Sequence, residues 1–258
     1  MKKIIVIILI LILGLPAFTR TITGEIKKET TANMHRIYDV LNNKPVEGAK
    51  IKIPAKNYTT ETNENGTFIL GTKINSPTIM SIEKSGYKPE SVTLKAQSSS
   101  PIVIGIEKTT PQDIILETDM IHLGDNSFSE NSAHAGDFSI RSSGAFYSKD
   151  FSLRPLKETE NIILKIGSII GIDTLHAQRL GQSGVRTSYS SPPEIFCNGN
   201  KIAEIKINGD NQRINIPKAI LRGSEILNIT IKTGKNLYKT TSVDYDDIEF
   251  TNLLLEIK

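Results

Sequence analysis

Ala49-Lys50-Ile51-Lys52-Ile53 alternates apolar and charged side chains, and the same period returns in Ile202-Ala203-Glu204-Ile205-Lys206-Ile207. Side chains two positions apart point to the same side of an extended chain, so each stretch offers one apolar face and one wet face. That pattern predicts half-buried β-strands. Working outward, runs of this kind recur along the chain, interrupted about every ten residues by Gly, Asn, Asp, Ser and Pro. No long helical period follows the first twenty residues. Ile and Thr are abundant, and β-branched residues suit a pleated surface. The fold class read from this is all-β, built as sandwiches.

Composition bounds the function. A chain of 258 residues makes one or two domains. Hydrophobic residues at 38% and charged residues at 23% fit a folded soluble protein and exclude a polytopic membrane protein. The net charge of +3 falls to +1 if Lys2 and Lys3 leave with a leader, so no bulk charge calls for nucleic acid. The one cysteine, Cys197, excludes an internal disulfide and any Cys-clustered metal site, and it reads as a small buried hydrophobe.

Lys2-Lys3 precede an unbroken apolar run from Ile4 to Leu13, followed by Gly14-Leu15-Pro16-Ala17. A basic start, a short apolar centre and a helix breaker before small residues predict a secretory signal helix over residues 1–19. The apolar stretch of about 15 residues is shorter than the roughly 20 that span a bilayer. Cleavage after Thr19 and cleavage after Ala17 both place small residues suitably. Left uncleaved, the leader would be the chain's membrane contact. The mature protein is expected to be secreted, periplasmic or on the cell surface.

A polar stretch, Lys108-Thr109-Thr110-Pro111-Gln112, divides the remainder into a domain over 21–108 and another over 112–258. In the first, Thr21–Ile26 reads as a strand and Lys27–Tyr38 as an elongated polar loop. Turn signals follow at Asn42–Ala49 and at Asn65-Gly66, whose residues tolerate positive φ. Gly24-x-Ile26, Pro45-Val46-x-Gly48-Ala49, Thr62-x-x-Asn65-Gly66-x-Phe68 and Lys84-x-Gly86-Tyr87 together resemble the carboxypeptidase regulatory-like domain. The resemblance implies a transthyretin-like seven-stranded β-sandwich without a peptidase site. A zinc peptidase of the related type would need His-x-x-Glu. Three residues after His35, His122, His134 and His176 stand Tyr38, Asp125, Asp137 and Arg179. No catalytic residue is assigned, and the chain is read as a non-enzyme.

In the second domain, Glu194–Ile202 forms a hairpin around Asn198-Gly199, Gln212–Pro217 precedes a short turn, and Ile226–Ile231 is a strand. The close is Asp244-Tyr245-Asp246-Asp247-Ile248-Glu249-Phe250. This order resembles the galactose-binding-like β-jelly-roll of carbohydrate-binding modules. In a strand, Asp244 and Asp246 share a face with Ile248 and Phe250. Carboxylates aimed at a core are costly unless paired or bound to a cation. The resemblance implies a structural Ca2+, with Asp246, Asp247 and Asp125 as ligands; the other reading is a solvated lead-in to the last strand.

Gly171–Pro193 is a long connection holding His176, Arg179, Arg186 and Tyr189, with a short α-turn expected over Thr174–Leu180. Long irregular segments in compact domains are uncommon unless they function or are disordered. Planar donors with an aromatic ring suit sugar hydroxyls, so these four residues are the candidate ligand-binding set. The absence of Trp argues against a flat platform for crystalline polysaccharide. Two partner classes remain: a carbohydrate held by this loop, or a cell-surface protein or envelope component recruited by a scaffold, for example along an exposed strand edge.

Overall fold

The computed structural model describes residues 34–96, 100–127, 138, 140–183, 189–221 and 226–258. The expected leader and the expected Thr21–Ile26 strand lie outside the described residues. Ala32–Lys258 is one compact unit. Its described residues contain sixteen strands and little helix, an all-β protein. Among them, no helix is long and apolar enough to cross a membrane.

Seven strands make the first sandwich: β1 (Met34–Asp39), β2 (Lys50–Ile53), β3 (Tyr58–Glu61), β4 (Thr67–Ile69), β5 (Thr78–Glu83), β6 (Glu90–Leu94) and β7 (Val103–Ile106). They form a three-stranded sheet, β4-β1-β7, and a four-stranded sheet, β3-β2-β5-β6. Strands β1 and β7 run parallel. Ile37, Ile51, Ile53, Phe68, Met80, Ile82, Leu94 and Ile106 fill the space between the sheets. The alternation in Lys50–Ile53 puts Ile51 and Ile53 at zero exposure, as period two requires.

Strand β1 corrects the reading of Lys27–Tyr38 as a loop throughout. Its inward residues are His35, Ile37 and Asp39, so two of three are polar and mask the alternation. Each polar one has a partner. His35 Nδ1 accepts from the Ile102 N–H at 3.0 Å, and the ring lies against Phe68. Asp39 accepts from the Leu41 N–H at 2.9 Å and the Tyr87 hydroxyl at 3.0 Å. The Asn65-Gly66 turn also differs in detail. Only Gly66 has positive φ, and a Cβ there would lie 2.4 Å from the Ile37 carbonyl, so the position admits glycine alone. The Asn63 side chain organises the turn by accepting from the Asn65 and Thr67 N–H groups.

The second sandwich uses β8 (Ile114–Glu117), β9 (Ile121–Leu123), β10 (Phe146–Ser152), β11 (Ile162–Ile170), β12 (Glu194–Cys197), β13 (Asn200–Glu204), β14 (Gly209–Ile216), β15 (Ile226–Lys232) and β16 (Ile248–Ile257). One sheet runs β10-β15-β12-β13; the other runs β14-β11-β16-β8, with β9 also on β16. The β12–β13 hairpin turns on Asn198 and Gly199, at φ 47° and 75°. Leu164, Ile166, Phe250, Leu253 and Leu255 meet Ile195, Cys197, Leu227, Ile229 and Ile231 in the core. The Cys197 thiol is fully buried, which pushes it up to about 11.

All ten residues of β16 are buried. A two-layer sandwich would bury one face only. Strands β5 and β6 of the first sandwich pack on the other face of the β11–β16 sheet, making a third layer. This seam is polar. Lys88 Nζ reaches Glu256 at 3.2 Å and Asp113 at 3.7 Å, and Arg213 also pairs with Glu256. Lys165 meets Glu90 at 2.6 Å, and Asp210 accepts from the hydroxyls of Ser168 and Thr93, each at 2.7 Å. Burial would raise the Glu256 carboxyl, but Arg213, Lys88 and Lys258 outweigh it and hold it at about 2. Between the layers, a Cβ on Gly167 would stand 2.4 Å from Ser91 Oγ.

Removing one member of a buried ion pair leaves the other unpaired and costs about 3 kcal/mol or more. Lys88→Met is therefore expected to lower unfolding stability by about that much. Lys52→Met, which breaks the half-exposed pair with Glu83, should cost less than about 1 kcal/mol. Urea unfolding of both variants measures the contrast.

Candidate functional site

The approach to β16 carries three buried carboxylates, Asp244, Asp246 and Asp247, each at 1% exposure or less. Asp246 Oδ2 accepts from Ser190 Oγ at 2.6 Å and from the Asp173 N–H at 3.2 Å. Its backbone carbonyl accepts from Thr233 Oγ1 at 2.5 Å. Asp244 Oδ2 accepts from Asn236 Nδ2 at 3.2 Å, and the Asn236 N–H donates to the Asp244 carbonyl at 2.8 Å. The Ser190 N–H closes the 171–193 segment on the Asp173 carbonyl, and two backbone bonds zip that segment to 233–247: Ser191 N–H to Lys235 O and Leu237 N–H to Tyr189 O. The carboxylates thus clamp two loops at one end of the second sandwich.

Asp246 Oδ1 and Asp173 Oδ2 have no hydrogen-bond partner. Burial pushes Asp246 well above the usual carboxylate range, and the neighbouring Asp173 and Asp247 charges add to it, against the Ser190 and Asp173 donors. Burial raises Asp173 to about 7, opposed by donation from Ser183 and Gln178.

Asp247 faces another group. Its Oδ1 accepts from the Asn126 N–H at 3.0 Å and lies 2.8 Å from His122 Nε2. His122 Nδ1 faces the Ile140 carbonyl, which can only accept. Acceptors stand beside both ring nitrogens, an arrangement that suits a doubly protonated His122. Burial would lower its pKa, but the bonds to Asp247 and Ile140 and the charges of Asp247 and Glu249 outweigh burial and raise it. The pair is set close under Gly124, where φ is +146° and a Cβ would fall 2.2 Å from Asp247 Oδ1. Two residues on, burial pushes Glu249 up to about 7, opposed by the His122 charge and by the nearby Ile140 N–H, which forms no hydrogen bond with it.

The expected calcium ligands are not brought to one point. Asp125 uses Oδ1 for the Ser127 N–H at 2.9 Å and Oδ2 for the Tyr245 N–H at 3.0 Å. Asp246 serves the loop clamp and Asp247 serves His122. Among the described residues no group of three His, Cys, Asp or Glu side chains is arranged to hold a metal ion. As placed, these three residues do not fit a shared cation.

The 171–193 segment contains α1 (Leu175–Arg179). Thr174 caps it, accepting from the Ala177 N–H at 3.1 Å and donating to the Lys206 carbonyl at 2.5 Å. Ala177 is the buried contact; His176 and Arg179 are exposed. Arg186 lies outside the described residues. Tyr189 is half-buried and meets Tyr238 edge to face, with ring centroids 5.4 Å apart. Tyr238 is 63% exposed. Its backbone N–H and that of Lys239 donate to Asn236 Oδ1, at 2.9 and 3.3 Å. Tyr238 and His122 are the residues sequence reading missed. An Asn two positions before an aromatic was the available signal for Tyr238. For His122 no local signal existed, since its partner is 125 positions away.

No family model matches this chain, and no curated protein matches it. Among solved structures, it is similar to a candidate carbohydrate-binding protein from Bacteroides uniformis, at 12% identity and a TM-score of 0.20, covering 86% of this chain and 96% of that one. It is also similar to BcpA, the major pilin subunit of Bacillus cereus, at 11% identity and a TM-score of 0.21, covering 87% and 66%. Similarities of this size place the chain in neither group.

The buried groups set a pH dependence. Asp173 and Glu249 rise to about 7 from ordinary values of 3.8 and 4.5, so between those limits the folded state binds more protons than the unfolded one. Stability then falls as pH rises across that window. His122, raised above 6.5, contributes stability that is whole below that value and is lost as pH climbs through its folded pKa. The melting temperature is expected to be higher near pH 5 than near pH 8, and Asp173→Asn should flatten the decline. Calorimetry across pH measures both.

Proposed function

We propose that this protein is an exported, non-catalytic binding module whose loop end on the second sandwich takes glycan hydroxyls. The observation that carries the reading is Tyr238, an aromatic ring largely open to water yet fixed from below. Tyr189 braces its edge, Asn236 holds its backbone, and the Asp244 and Asp246 contacts hold Asn236 and the partner loop. A mounted ring of this kind presents an apolar face at low entropic cost. His176 and Arg179 add exposed planar donors on the same pair of clamped loops, and sugar recognition combines an apolar face with such donors. Export rests on the basic and apolar character of residues 1–19.

A second reading has its own observation. Strand β10 is an edge strand, and Phe146 at its start is 61% exposed. An unpaired edge with an exposed aromatic suits addition of a strand from another chain, which would make the protein a structural or adhesion scaffold.

Thermal unfolding with a panel of soluble glycans separates the two, because a ligand that binds the native state raises the melting temperature by mass action. The glycan reading expects at least one sugar to raise it. Arg179→Ala and Tyr238→Ala should each weaken that sugar about tenfold, the effect of losing one good charged hydrogen bond or a comparable contact. Calcium added alone should leave the melting temperature unchanged, since Asp125, Asp246 and Asp247 do not converge. If no glycan shifts it and the chain self-associates through β10, the scaffold reading replaces the lectin one.

A further inference from the structure

Where β5 of the first sandwich meets β16 of the second, a cavity of about 400 Å³ is walled by Ala55, Lys56, Asn75, Ser76, Pro77, Thr78, Phe138 and Glu249. That volume falls within the roughly 300–1,000 Å³ of small-molecule sites. Glu249 stands out from the other charged groups on its side of β16 and β11. Glu256 has Lys88 and Arg213, and Lys165 has Glu90. Glu249 is 1% exposed, and neither of its carboxylate oxygens has a hydrogen-bond partner. On the same wall, Thr78 is 2% exposed, and its hydroxyl is also unpartnered.

Burying a carboxylate and a hydroxyl without partners is strongly unfavourable unless something supplies the missing bonds. Both are held in place by β-strands, so the surroundings cannot collapse onto them. Phe138 is fixed too. Its ring meets His122 edge to face, centroids 4.8 Å apart, and a Cβ on Gly171 would reach within 2.6 Å of it. The lining carries one cationic side chain, Lys56, and one carboxylate, Glu249, so the wall has no net formal charge, and the cavity calls for a neutral ligand rather than a cation.

We infer that this cavity is a second binding site, for a neutral polyhydroxylated ligand of the sugar class whose hydroxyls donate to Glu249 and exchange hydrogen bonds with Thr78. The ring of Phe138 supplies the apolar wall, and Lys56 and Asn75 are further donors on the lining. This site is separate from the loop end and does not depend on it.

The test uses the full chain with maltose, cellobiose and lactose, and with spermidine as a cationic control. Melting temperature and equilibrium dialysis are read for the wild type and for Glu249→Gln, Thr78→Val and Tyr238→Ala. At least one disaccharide should bind the wild type and the Tyr238→Ala variant. Glu249→Gln and Thr78→Val should each weaken it about tenfold. Without sugar, Glu249→Gln should melt higher than the wild type, because it removes a buried carboxylate whose oxygens form no hydrogen bond, a readout that needs no ligand. The inference is overturned if no disaccharide binds, or if binding is untouched by Glu249→Gln and Thr78→Val. Spermidine binding that needs Glu249, with no sugar binding, overturns the neutral class. Sugar binding lost in Tyr238→Ala and kept in Glu249→Gln leaves the loop end standing and removes the cavity; the opposite pattern does the reverse.

Discussion

Strand β16 is buried along its whole length, and the rest of the molecule is arranged around that constraint. Its core-facing residues, Phe250, Leu253, Leu255 and Ile257, meet an ordinary apolar layer. Its other face carries Glu249, Thr251 and Glu256, which water would normally solvate. Instead, β5 and β6 cover them. Covering such a face is tolerable only if its polar groups are paired, and Lys88, Arg213 and the Thr118 carbonyl provide those bonds to Glu256 and Thr251. The positions of β6, of the linker residue Asp113 and of Gly167 follow from that requirement. A buried pair of this kind selects one docking geometry more than it adds net stability, since shifting the layers would strand each charge.

The same strand organises the loop end. The residues just before β16 turn their carboxylates inward to hold the 171–193 and 233–247 segments, and His122 is drawn against Asp247 by the pairing of β9 with β16. Acidic groups here act as hydrogen-bond acceptors for loop backbones and hydroxyls. Their cost in desolvation is visible in the raised carboxyls of Asp173 and Asp246. The exposed ring of Tyr238 is a consequence of this rigidity, because a ring on an unclamped loop would fold onto the surface.

Legibility in the sequence followed the source of each feature. The strands Lys50–Ile53, Glu194–Cys197 and Ile226–Lys232 were readable because alternation is a property of neighbouring residues. The Asn198-Gly199 turn was readable because two successive positive φ angles require such residues. Strand β1 was not, since His35 and Asp39 sit inward with partners at Ile102 and Tyr87, far along the chain. The site shows the same division. The acidic cluster and the 171–193 segment stood out by composition, and a short α-turn was expected over Thr174–Leu180, where α1 lies. That the cluster clamps loops depends on bonds between segments more than forty residues apart, and the mounting of Tyr238 adds to them the Asn236 contacts within its own loop.

By itself, then, the sequence determined the class of the fold, the places of most strands and turns, and which segments were rich in polar chemistry, because propensity and periodicity act over a few residues. Only the tertiary structure decided how those polar groups are used. It set Lys88 against Glu256, placed an acceptor beside each ring nitrogen of His122, and left Glu249 and Thr78 without hydrogen-bond partners on a cavity wall. The physical reason is that the state of a buried polar group is fixed by whatever the fold brings within about 3 Å of it. Nothing in its sequence neighbours carries that information.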